Sequence, residues 1–240
     1  MASHQVELAT ILPQDGWAEQ DPEEVWDSTL QSARATLRDA ESQGNKVVAI
    51  GIANQRETTL VWDRITGKPC YNAILWNDRR TAETCRKLAS EGWETVIQEK
   101  TGLLLDPYFS ATKLSWILDN MGDIRKSAED GLGLFGTMDS FLLWNLTGGV
   151  NHATDITNAS RTSLFNIETP GWDTQLLDIF RIPAPCLPSV FESSHLFGQT
   201  DPTIFGRKIP ILGIIGDQQA SAIGHGCLEP GSTKCTYGTG

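Results

Sequence analysis

Cysteine is scarce, and the spacing and number of the cysteines exclude a zinc site and a fully paired disulfide framework. Only 5 of the 240 residues are Cys, and none of them forms a Cys-x-x-Cys pair or a Cys/His cluster with the spacing of a zinc site. Because the number is odd, a fully paired disulfide framework is excluded as well. A chain of this length can bury a core without such cross-links, so a reducing compartment is the expected environment.

Long apolar runs and targeting signals are missing too. No run approaches the roughly 20 residues that span a bilayer. The residues after Met1, Ala-Ser-His-Gln, form neither a basic signal region nor an amphipathic transit peptide. We therefore expect a cytoplasmic protein. A complete Walker-type phosphate loop is also absent, which argues against a P-loop kinase.

Positive charge is in the minority. The chain has 19 Lys and Arg against 30 Asp and Glu, a net charge of −11 at pH 7. An acidic surface repels polyanions, so neither nucleic acid nor an anionic membrane is an expected partner. The four histidines show no ligand spacing, and no metal site is predicted from them.

Helix-type and strand-type patterns alternate along the chain. Asp21 and Pro22 open a helix in which apolar residues recur with helical period as far as Gly44. Further helices are predicted over 80–88, 110–118, 137–146 and 217–223. Strands are predicted over 5–11, 46–52, 58–62, 71–76, 209–215 and 233–237, of which 46–52 is expected to be buried on both faces and 58–62 to form a hairpin with 71–76. The expected class is α/β with a mixed sheet.

A polar segment, Asn54-Gln-Arg-Glu-Thr-Thr59, follows the strand predicted over 46–52. Ligands commonly bind at the carboxyl ends of strands in α/β sheets. Arg56 offers a rigid set of N–H donors and Glu57 two acceptor oxygens, which together suit the adjacent hydroxyls of a polyol. The alternative is a solvated turn between two strands, since loops are generally polar.

Gly216-Asp-Gln-Gln219 joins a predicted strand to a predicted helix. Asp217 in this position suits a general base acting on an alcohol, with Gln218 steadying the substrate. The alternative is that Asp217 is the N-cap of the helix, a role that Asp often fills. These roles compete, because a helix N-terminus stabilises the carboxylate and weakens its basicity.

Two further groups are candidates for binding. Backbone N–H groups of the terminal Tyr237-Gly-Thr-Gly240 turn can hold a phosphate, although an ordinary turn has the same sequence. Trp76 and Tyr108 can cover the carbon side of a small polyol. For Trp76 a place in the core is an equal alternative.

Together these motifs resemble one family. Gly51-Ile-Ala-Asn-Gln-Arg-Glu-Thr-Thr59 is similar to the hallmark of glycerol kinases within the FGGY carbohydrate-kinase family. Tyr108-Phe-Ser-Ala-Thr-Lys-Leu-Ser-Trp-Ile-Leu-Asp-Asn120 resembles the signature of the family's N-terminal lobe. Other segments that match in the expected order are Gly16–Pro22, Asp155–Thr162, Leu164–Ile167, Gly216–Gln219 and Thr236–Gly240.

The resemblance implies a ribonuclease-H-like, actin-type ATPase fold, in which a mixed sheet is flanked by helices. It also implies phosphorylation of glycerol to glycerol 3-phosphate by ATP with Mg²⁺. Arg56, Glu57 and Tyr108 would then bind glycerol, and Trp76 would pack against its carbon chain. Asp217 would be the catalytic base with Gln218 beside it. Gly238, Thr239 and Gly240 would contact the nucleotide phosphate. Homo-oligomers are compatible with the resemblance.

The chain departs from the family pattern in two ways. The family begins with a strand and an Asp-x-Gly-Thr-Thr/Ser phosphate turn that this sequence does not contain, and it continues into a C-terminal lobe beyond Gly240. Residues 1–240 are therefore expected to be an N-terminal domain without its first strands and phosphate loop, inactive in phosphoryl transfer on its own, with an unpaired edge in its central sheet. The alternatives are a kinase for a related sugar or polyol, and a truncated non-catalytic binding or regulatory protein.

Overall fold

The computed structural model describes residues 2–236, and these residues alternate between helices and strands. The helices are α1 (Pro22–Ser42), α2 (Ala82–Ser90), α3 (Glu94–Thr101), α4 (Ser110–Asn120), α5 (Ile124–Glu129), α6 (Met138–Leu146), α7 (Ile156–Ala159), α8 (Thr174–Phe180), α9 (Pro202–Phe205) and α10 (Asp217–Gly224). A 3₁₀ turn covers Ala184–Cys186.

The strands form one three-stranded sheet and several two-stranded pairs. They are β1 (Glu19–Gln20), β2 (Ile50–Asn54), β3 (Leu60–Asp63), β4 (Ala73–Ile74), β5 (Gly133–Gly136), β6 (Ala153–Asp155), β7 (Phe165–Asn166), β8 (Gly171–Trp172), β9 (Ser189–Phe191), β10 (Ser194–Gln199) and β11 (Pro210–Gly216). In the larger sheet β11 pairs with β2 in parallel and with β10 in antiparallel orientation. The sheet is therefore mixed, as predicted.

The β3–β5 pair separates two hydrophobic cores. Side chains alternate across a strand, so Leu60 and Trp62 enter one core while Val61 enters the other. On β5, Leu134 and Phe135 divide in the same way. The first core lies against α6 and the three-stranded sheet, and the second against α4 and α8. Packing against these two cores holds in place the strands whose ends carry the candidate residues.

Several predicted elements are confirmed close to their expected bounds. Asp21 caps α1 by accepting a hydrogen bond from the backbone N–H of Glu23 (2.9 Å). The helix ends at Ser42, and Gly44 follows in the left-handed conformation that glycine favours. The strand predicted over 209–215 is β11, and the helix predicted over 217–223 is α10.

Other predictions are wrong. Residues 5–11 form no strand, and only Ile11 makes an isolated bridge to Glu19. The strand predicted over 46–52 covers Ile50–Asn54 and is buried on one face only, because Gly51 and Ala53 are exposed.

The predicted hairpin is confirmed in part. Antiparallel bridges join Thr59 to Ile74 and Trp62 to Pro69. Strand β3 also pairs along its whole length with β5, a partner that was not predicted, and this pairing places both strands between the two cores. In the last predicted strand, residues 233–236 form no strand and Tyr237 lies outside the described residues.

Candidate functional site

Two of the candidate segments meet at one edge of the three-stranded sheet. Strands β2 and β11 run in parallel, and their last residues, Asn54 and Gly216, lie side by side in the ladder. The chain leaves β2 into Gln55-Arg56-Glu57 and leaves β11 directly into α10. This register brings Arg56 close to Asp217. The distance between Nε of Arg56 and Oδ1 of Asp217 is 3.3 Å.

Asp217 is the first residue of α10, and the predicted N-cap role is not what the structure shows. Gly216 occupies the cap position, while Asp217 Oδ1 accepts a hydrogen bond from the backbone N–H of Gln218 (2.7 Å). The Asp217 side chain is 48% exposed, whereas that of Arg56 is 11% exposed. The carboxylate is therefore open to a ligand and lies next to a largely buried arginine side chain.

Glycine at 216 allows Arg56 to come this close. A Cβ added at Gly216 would lie 2.4 Å from Cδ of Arg56 and 2.8 Å from its Cγ. The Arg56 stem packs over the backbone where strand becomes helix. Any larger residue at 216 would displace it.

Glu57 is buried and ion-paired. Its side chain is 2% exposed, and Nε of Arg161 donates a hydrogen bond to Oε1 over 2.6 Å. Burial raises the pKa of Glu57, while Arg161, Arg56 and Lys113 act in the opposite direction. Glu57 has φ of 63°, a strained value for a residue other than glycine, and its carbonyl accepts a hydrogen bond from Ser110 Oγ (3.0 Å).

Trp76 and Tyr108 form an aromatic wall. Their ring centroids are 5.6 Å apart in an edge-to-face arrangement, and Trp76 is 40% exposed. The core alternative for Trp76 is therefore excluded. The guanidinium of Arg161 lies 5.5 Å from the Tyr108 ring centroid, so the residue that binds Glu57 also contacts this wall.

A buried polar network supports both segments from behind. Asn54 Nδ2 donates to the side-chain oxygens of Asn158 (2.9 Å) and Asp139 (3.2 Å). Thr157 Oγ1 donates to Asp155 (2.7 Å) and accepts the backbone N–H of Gly216 (2.8 Å). The network fixes the ends of β2 and β11 relative to each other. Burial raises the pKa of Asp139 to about 6.

The other predicted residues stand apart from this cluster or outside the described chain. Gln218 follows Asp217, but its side-chain oxygen accepts a hydrogen bond from Lys234 (3.3 Å). Gly238, Thr239 and Gly240 lie outside the described residues. Within residues 2–236 no group of three or more His, Cys, Asp or Glu side chains is placed to hold a metal ion.

Arg161 was not predicted as a site residue. It belongs to the Asp155–Thr162 segment, which resembles a family motif but lies 104 residues from Glu57 along the chain. The signal in the sequence was an arginine following a polar run. Nothing in the sequence alone pairs that arginine with Glu57.

The chain also matches known proteins along its length. The sequence profile described as the FGGY family of carbohydrate kinases, N-terminal domain, matches residues 1–224. This chain belongs to the FGGY family. Its fold is that of the actin-like ATPases, as in the sugar kinases whose structures it matches.

The curated proteins that the chain matches include glycerol kinases. The chain is 59% identical to the glycerol kinase of Rhodospirillum centenum over 240 residues, which is all of this chain and 48% of that protein. It is 53% identical to that of Symbiobacterium thermophilum over 234 residues, which is 98% of this chain and 47% of that protein. The chain thus spans about half the length of the curated relatives it matches.

A solved FGGY structure matches closely as well. The crystal structure of Plasmodium falciparum glycerol kinase with ADP superimposes with a TM-score of 0.93 and is 37% identical. The match covers 97% of this chain and 47% of that one. In the part of this chain that the structure describes, no helix is both long and apolar enough to cross a membrane.

Proposed function

We propose that this chain supplies the glycerol pocket and the catalytic base of a glycerol kinase, which transfers a phosphoryl group from ATP to glycerol. The observation that carries the proposal is the meeting of Arg56 and Asp217, at 3.3 Å, where two parallel strands end. A polyol-binding pair and an exposed carboxylate then share one site. The similarity to glycerol kinases at 53–59% identity supports glycerol over other polyols.

Glycerol would be held by charge-assisted hydrogen bonds on one side and by aromatic rings on the other. A hydroxyl both donates and accepts, so it can bridge the guanidinium of Arg56 and the carboxylate of Glu57. The ion pair with Arg161 keeps Glu57 oriented and favours its charged form. The wall of Trp76 and Tyr108 would cover the carbon chain and exclude water.

Asp217 would accept the proton of the attacking hydroxyl. The glycerol oxygen forms a bond to the γ-phosphorus of ATP, the bond from that phosphorus to the bridging oxygen breaks, and ADP leaves. In such transfers the proton leaves late, so a strong base is not required. Positioning of the reacting groups supplies most of the catalysis.

The nucleotide side of the site stays a prediction. Gly238, Thr239 and Gly240 would contact the nucleotide phosphate, and the adenine would bind in a second lobe outside these 240 residues. A magnesium ion bound with ATP would be held mainly by phosphates and water, and the described residues form no carboxylate cluster for it. Because the reaction consumes ATP, we propose the cytoplasm as its location.

Calorimetric titration of the purified chain with glycerol tests the pocket. We expect saturable binding of glycerol, and weaker binding of erythritol, ribitol and xylulose. Binding of one of the other compounds in preference to glycerol would favour a related FGGY kinase. A folded chain that binds none of them, with or without ATP, would overturn the proposal.

A segment exchange tests the base. This chain replaces the matched 240 residues of the Rhodospirillum centenum glycerol kinase, and ATP-dependent formation of glycerol 3-phosphate is measured. We expect turnover, and a loss of about 10²–10⁴-fold in kcat for Asp217→Asn, the range typical of a lost general base. The control Asp130→Asn removes an exposed carboxylate paired with Lys126 and should leave kcat unchanged. Turnover that survives Asp217→Asn would remove Asp217 from this role.

A further inference from the structure

Lys113 is a cation buried in the interior behind the aromatic wall. It lies in the first turn of α4, and its side chain is completely buried. Lysine is rarely buried without a partner, because removing an ammonium from water is costly. No carboxylate among the described residues lies within ion-pair distance of Lys113.

The partners of Lys113 are two backbone carbonyls. Nζ donates a hydrogen bond to the carbonyl of Tyr108 over 2.7 Å and to that of Leu75 over 3.3 Å. Leu75 directly precedes Trp76. One ammonium group therefore joins the backbones of the two loops that carry the two rings of the wall.

The same turn of α4 also holds the third pocket segment. Ser110 Oγ donates to the carbonyl of Glu57 over 3.0 Å. Within four residues the helix thus contacts the loops of Trp76, Tyr108 and Glu57. These loops are distant in sequence, and a hydrocarbon side chain at 113 would fill the same space without joining them.

The surroundings of Lys113 act on its pKa in opposite directions. Burial lowers the pKa of Lys113 to about 7, with Arg80 acting in the same direction. The carboxylates of Glu57, Asp78 and Asp106 act to raise it. Glu57 thus favours the charged form of Lys113, and Lys113 in turn favours the charged form of Glu57.

We propose that Lys113 is a positioning residue for the polyol, which fixes the spacing of Trp76 and Tyr108 by joining the carbonyls of Leu75 and Tyr108. It touches no substrate. Its effect on binding is transmitted through the two rings and rests on the proposed glycerol pocket. Its effect on the two loops exists whether or not glycerol is the ligand.

Lys113→Met is the first test, with Thr112→Val as the matched control. Thr112 is the preceding residue of α4, and its hydroxyl is hydrogen-bonded to that of Thr81 over 2.8 Å. Because this bond does not join the loops of Trp76 and Tyr108, its removal should weaken the fold without releasing those loops. By calorimetry we expect Lys113→Met to raise the Kd for glycerol by about tenfold and Thr112→Val by less than about twofold, as for loss of charged and neutral bonds respectively. Equal effects of the two variants on Kd would overturn the proposal.

A double-mutant cycle separates positioning from general destabilisation. If Lys113 acts through Trp76, its loss should matter less once the ring is gone. On the Trp76→Ala background we expect the logarithm of the Lys113→Met effect to fall to less than half. An undiminished effect would show that Lys113 acts by another route.

Hydrogen exchange tests the loops without any ligand. Lys113→Met should speed amide exchange in segments 74–78 and 106–109 relative to wild type, whereas Thr112→Val should not. If wild type fails to bind glycerol but these segments loosen, the proposed function is wrong and the positioning role stands. Unchanged exchange would overturn the positioning role. Two further variants, Lys113→Arg and Lys113→Gln, are measured in parallel in case Lys113→Met does not fold. Arginine keeps the cation and its N–H donors, so we expect segments 74–78 and 106–109 to exchange more slowly in Lys113→Arg than in Lys113→Gln.

Discussion

At the scale of the residue, the site depends on a few charged groups whose environment decides their use. Glu57 and Asp217 are both carboxylates beside guanidinium groups, yet one is buried and the other half-exposed. The buried one is suited to hold a ligand in a fixed orientation. The exposed one is free to take up a proton and release it to solvent.

Arg56→Ala should weaken glycerol binding. A lost hydrogen bond from a charged donor costs about 1.5–3 kcal/mol, so we expect Kd to rise by about tenfold to a hundredfold by calorimetry. Arg86→Ala, in an exposed pair with Glu83, is the control and should leave Kd unchanged. An unaltered Kd for Arg56→Ala would exclude Arg56 from the pocket.

Arg161→Met should make glycerol binding more sensitive to acid. The pKa of Glu57 is already above its ordinary value of 4.5 because of burial, and Arg161 is the main group that limits the rise. Without it the pKa rises further, so Glu57 takes up a proton at higher pH and loses its acceptors. Calorimetry from pH 5 to 8 should show affinity falling at a higher pH than in wild type.

The same variant has a stability consequence of defined sign. A folded-state pKa above the unfolded value means that the folded chain binds the proton more tightly, so stability is lost as pH rises through the folded pKa. The free energy of unfolding of Arg161→Met should therefore decrease more steeply above pH 4.5 than that of wild type. Parallel pH profiles would contradict this account of Glu57.

At the scale of the element, the junction of β11 and α10 controls the site. The strand ends in parallel with β2, and the helix begins at once with the candidate base. Gly216 has φ of −63° and ψ of 146°, which any residue adopts without strain. Its importance is therefore the space that it leaves for Arg56.

Gly216→Ala should accordingly act on binding more than on folding. Its Cβ would overlap Arg56 Cδ at 2.4 Å, and we expect an increase of about tenfold in the Kd for glycerol, approaching that of Arg56→Ala. Gly213→Ala in the same strand is the control, since its nearest neighbour would be Ser193 O at 3.5 Å. Added to Arg56→Ala, the Gly216 substitution should have no further effect.

At the scale of the whole molecule, the net charge of −11 affects stability independently of the site. Like charges repel one another in the compact state, and salt screens that repulsion. Raising NaCl from 10 to 150 mM should stabilise the chain by about 1 kcal/mol, or about 2–4 °C in Tm. Near pH 4.8, where the net charge vanishes, scanning calorimetry should show no such increase.

The sequence by itself determined the elements whose signals are local. Asp21 and Pro22 begin α1, an apolar run forms β11, and the polar segments that follow β2 and β11 mark the candidate site. Residue types sufficed there because caps, periodicity and strand-end polarity depend on near neighbours in the chain. The same local reasoning gave the α/β class.

Only the tertiary structure decided what depends on pairing between distant segments. It paired β3 with β5 in addition to the predicted hairpin partner, exposed one face of β2, and made Gly216 the cap in place of Asp217. It also brought Arg161 to Glu57 and Lys113 to the carbonyls behind the aromatic wall. The physical reason is that burial and partner choice are properties of the packed chain, and one segment's composition does not specify which other segment will cover it.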